Sequence, residues 1–255
     1  MYKAFTASDF RKMFGLPDDY VVEGFLSYGA WNVEKQHLKI KEVLKGLEVD
    51  YTINKLTNFL GYVFEINIGG KRYWFTVMYG GTLLSEIVHL ACLFGSKKNI
   101  HIGSCGGLSP QINDIELVLP TWSYGNESTT RTYERDAPNF KHYPNKKLMS
   151  ELKKNLPPHY KVWEGPIMTN EAMMGETWDD VKSWSEKGYY GVEMETATVF
   201  AVSNHFNVPS AALLYVTDNL IKGQTVGDES HIQQKAKREL IKTDVYKAGI
   251  RTLLN

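Results

Sequence analysis

Three short stretches of this sequence carry residue types that could do chemistry. "VEMET", residues 192–196, sets Glu193 and Glu195 on either side of Met194. A glutamate can accept two hydrogen bonds at once, which suits vicinal hydroxyls such as those of a ribose. A thioether beside it offers a soft apolar face for a sugar ring. The same acids would also suit a helix start, where the positive end of the dipole favours them; on spacing alone both readings stand. "VTDN" puts Asp218 at the end of an apolar run. A carboxylate there is partly desolvated, which favours the protonated form that a general acid needs. A turn or N-cap aspartate is the alternative, and Asn219 beside it suits a turn. "HIGSCGGL", residues 101–108, follows His101 with glycines and Ser104. Such glycines let a backbone approach an anion or a sugar closely, although a tight turn would use them equally. The spacing is neither G-x-G-x-x-G nor G-x-x-x-x-G-K-[ST], so neither a dinucleotide nor ATP is implied.

These stretches need elements to position them. "SAALLYVTD" is a continuous apolar run, the pattern of a strand buried on both faces. "KNIHIGSCGG" reads as a short strand ending in a glycine-rich turn. A helix from Thr196 to Phe206 ends at Asn207-Val208-Pro209, because proline cannot continue it. Elsewhere the spacing predicts a strand over 21–28, weakened by Glu23-Gly24, and a helix over 34–46 with Leu38, Ile40, Val43 and Leu44 apolar among lysines. "YVFEINIGGKRYWFTVMYGG" gives a hairpin about Gly69-Gly70. A helix follows from Leu83 to Phe94. "DIELVLPT" and "WEGPIMTN" read as strands, and residues 151–155 end a helix before Pro157-Pro158. Residues 177–187 read as an amphipathic helix, and 228–253 as helical.

Strands alternating with helices predict an α/β fold: a central mixed, mostly parallel, twisted sheet flanked by helices. In such folds ligands sit beyond the carboxyl ends of strands. That rule picks out Gly29 to Glu34, Ser104 to Gly107, and Thr217-Asp218, with Glu193 to Glu195 just before a helix. No repeat and no dividing linker is visible, so one domain over residues 1–255 is expected.

Composition narrows the partners. The 255 residues are 43% hydrophobic and 23% charged, with zero formal net charge. A phosphate backbone demands a basic excess, so nucleic acid is not the expected partner. No signal-peptide pattern opens the chain, and no apolar run approaches the roughly 20 residues of a membrane span. Cys92 and Cys105 form neither a metal pattern nor a disulfide framework, and Cys92 reads as core. A cytoplasmic protein is expected. His205 reads as a helix-end residue, and the many Tyr and Trp read as core.

Taken together, the three stretches resemble the nucleoside phosphorylase and nucleosidase superfamily, the purine nucleoside phosphorylase-I group. The resemblance runs roughly from Gly29 to the C-terminal helix. "IGSCGGL" is similar to the family's sugar- and phosphate-side loop. "VEMETATVFAVSNHFNVP" is similar to its ribose-binding glutamate-methionine-glutamate motif and the helix after it, and "VTDN" to its Ser/Thr-Asp pair at the purine. The glutamate motif in this context is specific; the glycine turn alone is not. The resemblance implies that Glu195 holds the ribose hydroxyls, that Met194 packs on the sugar, and that Glu193 is structural. It implies that Asp218, paired with Thr217, gives a proton or strong hydrogen bond to N7 of the departing base, neutralising the charge that builds on it.

The sequence departs from the family where a phosphorylase holds phosphate. The family's N-terminal Gly-Asp-Pro-x-Arg loop reads "SYGAWNVEK" here. The arginine two residues before the Gly-Ser turn is His101. The counterpart of the segment donated by a neighbouring subunit has no arginine until Arg72. Phosphate without a fixed guanidinium is poorly held. "GAWNVE" instead resembles the Gly-Ala-x-x-x-Glu start of the methylthioadenosine/S-adenosylhomocysteine nucleosidases, whose glutamate activates water. The matching residue is Glu34, which on its own also reads as a solvated first-turn residue. Gly29, Ser104 and His101 would then form the anion or water side, with Ser104 orienting the water or a ribose hydroxyl. The Gln-x-Arg pair that reads uracil is absent, which favours purine. Met173 falls where the family stacks a phenylalanine, so Met173, Met174 and Trp178 would form a looser wall.

The resemblance therefore implies cleavage of a purine nucleoside's N-glycosidic bond, hydrolysis being favoured. Phosphorolysis, with phosphate held by Ser104, His101, backbone amides and a further basic residue, is the alternative. A non-catalytic nucleoside-binding protein is a third reading, against which the retention of Asp218 and Glu195 speaks. No metal or organic cofactor is implied, and a homo-oligomer is expected.

Overall fold

The apolar runs sort into ten strands, because buried backbone must find its hydrogen bonds in a ladder. The computed structural model describes residues 2–255. Its strands are β1 (Gly24–Gly29), β2 (Tyr51–Lys55), β3 (Val63–Ile68), β4 (Lys71–Met78), β5 (Asn99–Gly107), β6 (Leu117–Asn126), β7 (Lys141–His142), β8 (Val162–Asn170), β9 (Gly191–Glu193) and β10 (Ser210–Asn219). They form one mixed sheet in the order β10-β6-β8-β9-β5-β1-β4-β3-β2, with β7 on β6. A further pairing of β10 with β5 closes β10, β6, β8, β9 and β5 into a ring.

The helices are α1 (Ala7–Phe14), α2 (Val33–Gly46), α3 (Gly81–Leu93), α4 (Thr130–Tyr133), α5 (Lys146–Lys154), α6 (Trp178–Glu186), α7 (Thr196–His205), α8 (Glu229–Gln233) and α9 (Lys235–Leu254). Of these, α2, α5 and α9 pack together on one face, burying Ile40, Leu44, Leu148, Ile241 and Val245. On the other face α3 packs on α7 around Leu84, Ile87, Val88, Val199 and Val202. Nearly every side chain of α7 is buried, which is why its sequence is apolar all round. No helix among the described residues is long and apolar enough to cross a membrane.

Several elements differ from the sequence reading, each for a physical reason. The strand placed at 21–28 begins at Gly24. β5 does not end in a turn; it runs through Gly103, Gly106 and Gly107. Along one edge it pairs with β1 through residues 99–102 and then with β9 through Gly106 and Gly107, while its other edge stays on β10. A Cβ at Gly106 would come within 3.0 Å of Leu220 and one at Gly107 within 3.1 Å of Asn219, so the glycines serve close packing at a sheet corner. The sheet is mixed as expected: the long ladders of β1 with β4, β5 with β10 and β6 with β8 are parallel, and antiparallel pairings stand beside them. The stretch 228–253 is divided at Gln234 into α8 and α9. β2 was not foreseen because an exposed edge strand can be polar on most positions, as Tyr51–Lys55 is.

Candidate functional site

The carboxyl ends of β1, β5 and β10 and the junction of β9 with α7 open on one cavity of about 410 Å³. Gly29, Ser104, Thr217, Asp218, Met194 and Glu195 all line it. Four segments far apart in sequence therefore meet at one site, as the strand-end rule anticipates.

A bulge in β10 shapes the base of this cavity. Val216 pairs with Cys105 and Asp218 with Gly106, which leaves Thr217 as an extra residue. Such a bulge bends its strand and re-aims the side chains beside it. Asp218 is buried, and the Thr217 hydroxyl donates to its Oδ1 at 2.5 Å. Asn219 is no mere turn residue: its Nδ2 donates to the carbonyls of Ser109 and Ile112 at 2.8 and 2.7 Å, and its Oδ1 accepts from the Lys222 N–H. This clamp holds the strand end that carries Asp218.

The two glutamates have different surroundings. Glu193 Oε2 accepts from the backbone N–H groups of Glu195 and Thr196 at 2.9 and 2.8 Å, and from the Thr196 hydroxyl at 2.8 Å. Its Oε1 accepts from Thr169. Glu193 thus ties the start of α7 to β8, and burial holds its carboxyl above the usual range. Glu195 keeps one strong tether, the Gly80 N–H on Oε1 at 2.6 Å. Burial and then the charge of Glu193 push the Glu195 carboxyl up to about 8. A Cβ on Gly29 would stand 2.5 Å from Glu195 Oε2, so glycine at the end of β1 is what makes room for this carboxylate.

Two sequence-derived candidates lie outside the cavity. Glu34 sits in the first turn of α2, exposed to solvent, and is not among the lining residues. The N-terminal loop carries only Gly29 into the wall; the helix that follows turns Glu34 outward. His101 is fully buried behind Glu195 and does not line the cavity. Its Nε2 lies 3.7 Å from Glu193 Oε2 and 3.9 Å from Glu195 Oε2. His101, Glu193 and Glu195 are close enough to be grouped as metal ligands. Both Glu193 oxygens are engaged by N–H and O–H donors and Glu195 Oε1 by the Gly80 N–H, so we read a polar cluster rather than a ligand set.

Met173 and Trp178 line the cavity, whereas Met174, the third residue of the expected wall, is exposed outside it. Sequence reasoning missed Tyr79 and Glu176. Tyr79 follows the end of β4, so the strand-end rule could have found it. Its ring meets Trp31 edge to face at 4.8 Å, and its hydroxyl lies 3.7 Å from Met173 Sδ. Glu176 lies between β8 and α6, bonded to Asn170 Nδ2 at 3.3 Å. Burial first, then the charges of Asp180 and Asp218, hold its carboxyl above the usual range. No sequence pattern signalled it. The lining so contains Glu176, Glu193, Glu195 and Asp218 and, among the described residues, no Lys, Arg or His. Arg72 is committed elsewhere, 3.0 Å from Glu65 and over the Tyr20 ring.

The family model of the phosphorylase superfamily matches residues 80–248, a span that runs from Gly80, the tether of Glu195, past Asp218. The chain belongs to the phosphorylase superfamily. It is 27% identical over 164 residues to the guanosine phosphorylase of Halorubrum lacusprofundi, covering 63% of this chain and 65% of that one. It is 26% identical over 165 residues to a purine nucleoside phosphorylase of Clostridium beijerinckii, again covering 63% and 65%. These matches span just under two thirds of the relatives' length. A purine nucleoside phosphorylase of Alkaliphilus metalliredigens is 28% identical over 189 residues, 68% of this chain and 80% of its own. Among solved structures, a uridine phosphorylase from Vibrio fischeri superposes with a TM-score of 0.73 at 18% identity, covering 96% of this chain and 97% of that one. The likeness in fold to that structure therefore extends over nearly the whole chain, including the N-terminal part outside the family match.

Proposed function

We propose that this protein cleaves the N-glycosidic bond of a purine nucleoside, or of a 5′-modified one, by hydrolysis. The observation that carries the reading is the charge of the cavity: four carboxyl groups line it and no cationic side chain does, among the described residues. Such a lining offers a phosphate dianion none of the cationic side chains on which its grip depends, and it accepts a neutral nucleoside and water. In this reading Glu195 receives the ribose hydroxyls and Met194 packs on the sugar. Met173, Thr217 and Asp218 face the base. Asp218 in its acid form protonates N7 as the C1′–N bond breaks and its electron pair passes to the base. Water from the side of Gly29 and Ser104 then joins C1′, and the proton it loses passes through solvent to the Asp218 carboxylate, which restores the acid form. No metal or organic cofactor takes part, and the chain acts as a single domain within a homo-oligomer.

Glu34 has no proton-transfer role in this reading. Glu34→Gln is expected to keep base release within about threefold of the parent; loss of hydrolysis with nucleoside binding intact would restore it as the group that activates water. Gly29→Ala is expected to push the Glu195 carboxylate aside and raise the nucleoside KM at least about tenfold, because the added carbon has no room. Steady-state kinetics on the folded variant checks this.

A second reading is phosphorolysis, which the relatives' names favour: the two described first are called phosphorylases. Phosphate titration separates the two. Hydrolysis predicts that millimolar phosphate leaves both the nucleoside KM and the melting temperature unmoved. A saturable rise in rate or in melting temperature would support phosphorolysis.

A further inference from the structure

We propose that His101 is a positioning residue for Glu195: its ring, steadied by Ser27, directs Nε2–H at Glu195 Oε2 and holds that carboxylate where the ribose diol meets it. The inference rests on the reading of Glu195 as the ribose-binding group.

The geometry carries it. His101 Nδ1 lies 2.9 Å from Ser27 Oγ. The ring is fully buried, and Nε2 has no hydrogen-bond partner although two carboxylate oxygens stand 3.7 and 3.9 Å away. A neutral imidazole carries one proton, on one nitrogen or the other. When Glu195 is ionised, the form that accepts the ribose hydroxyls, a proton on Nδ1 would leave the Nε2 lone pair facing negative carboxylate oxygen, an unfavourable arrangement in a buried site. With the proton on Nε2, the Ser27 hydroxyl donates to Nδ1 and Nε2–H faces the acids. The second tautomer pairs Nδ1 and turns the remaining donor toward acceptors.

Its target is Glu195 rather than Glu193. Glu193 Oε2 already accepts three hydrogen bonds. Glu195 is tethered through Oε1 by Gly80, which leaves Oε2 for His101. The present 3.9 Å is longer than a hydrogen bond, and a small rotation of the Glu195 side chain closes it, as catalytic contacts tighten on substrate binding. His101 does not reach the cavity, so it acts only through Glu195.

The test compares His101→Leu, which removes the donor, with His101→Gln, whose amide can still donate. With inosine and adenosine as probes, His101→Leu is expected to raise KM about tenfold or more with kcat within about threefold, the signature of lost uniform binding. His101→Gln is expected to stay within about threefold of the parent in both. Crystal structures of the free variants should show Glu195 turned away from Gly80 N–H in the leucine variant alone. Equal KM for leucine variant and parent, or equal impairment by leucine and glutamine, would overturn the proposal. If His101→Leu does not fold, Ser27→Ala takes its place. It releases the tautomer and should raise KM about threefold or more, and an unchanged KM would count against the proposal. If the parent cleaves and binds neither nucleoside, the functional reading fails, while the Glu195 orientation in the crystals still decides the role of His101.

Discussion

Asp218→Asn slows base release by about 10²-fold or more, while the nucleoside KM changes little, if Asp218 is the general acid. The substitution keeps the shape of the side chain and the bulge that aims it, since Thr217 remains the extra residue between Val216 and Asp218. What it removes is the transferable proton. A purine departs from C1′ with its bonding electrons, so an unprotonated leaving group raises the barrier; 10²-fold corresponds to about 2.7 kcal/mol. A control separates acid catalysis from damage to the site. N7-methylated inosine already carries a positive charge on its base, which leaves as a neutral molecule without any proton. Its cleavage by Asp218→Asn should match the parent. Equal slowing of inosine and its methylated form would assign Asp218 to binding or folding instead.

Glu195→Gln weakens nucleoside binding about 10²-fold, because two hydrogen bonds from ribose hydroxyls to a charged acceptor are worth about 1.5–3 kcal/mol each. The glutamine offers one neutral carbonyl in place of a carboxylate. pH gives a second signature. The folded-state value of Glu195 is raised to about 8 by burial and by Glu193. The accepting, ionised form is therefore the minority below that value and dominates above it. Nucleoside affinity of the parent should rise by about tenfold per pH unit on approach to pH 8 and level off above it. The glutamine variant should show no such rise. Titration calorimetry across pH 6–9 measures both, and a flat parent profile would contradict the assignment.

The sequence showed more of the site's chemistry than of its geometry. Asp218 and Glu195 were legible because each stands where a periodic apolar element stops, and a carboxylate at such a boundary is conspicuous. Met194, Met173 and Thr217 came with them as neighbours. Glu34 shows the opposite: the three-residue loop from Ala30 to Asn32 can turn the following side chain either way, and the capping of α2 by Asn32, which accepts from Lys35 N–H at 2.8 Å, was not visible as a direction. His101 was legible as a residue on the right strand, yet its burial depended on how β5 sits between β1 and β10. Glu176 and Tyr79 became part of the site only through packing of distant segments. The strand–helix alternation was readable from apolar periodicity; the ring closed by β10 and β5 was not, because pairing partners are a tertiary choice.

The central claim is that water, not phosphate, receives the sugar. Base release from inosine, adenosine and methylthioadenosine, followed by chromatography in phosphate-free buffer and again with added phosphate, tests it directly when the sugar product is identified in the same run. The account predicts base release without phosphate, at a rate phosphate does not change, giving free ribose or its 5′-modified form. Release only in the presence of phosphate, with the sugar 1-phosphate as product, would contradict it.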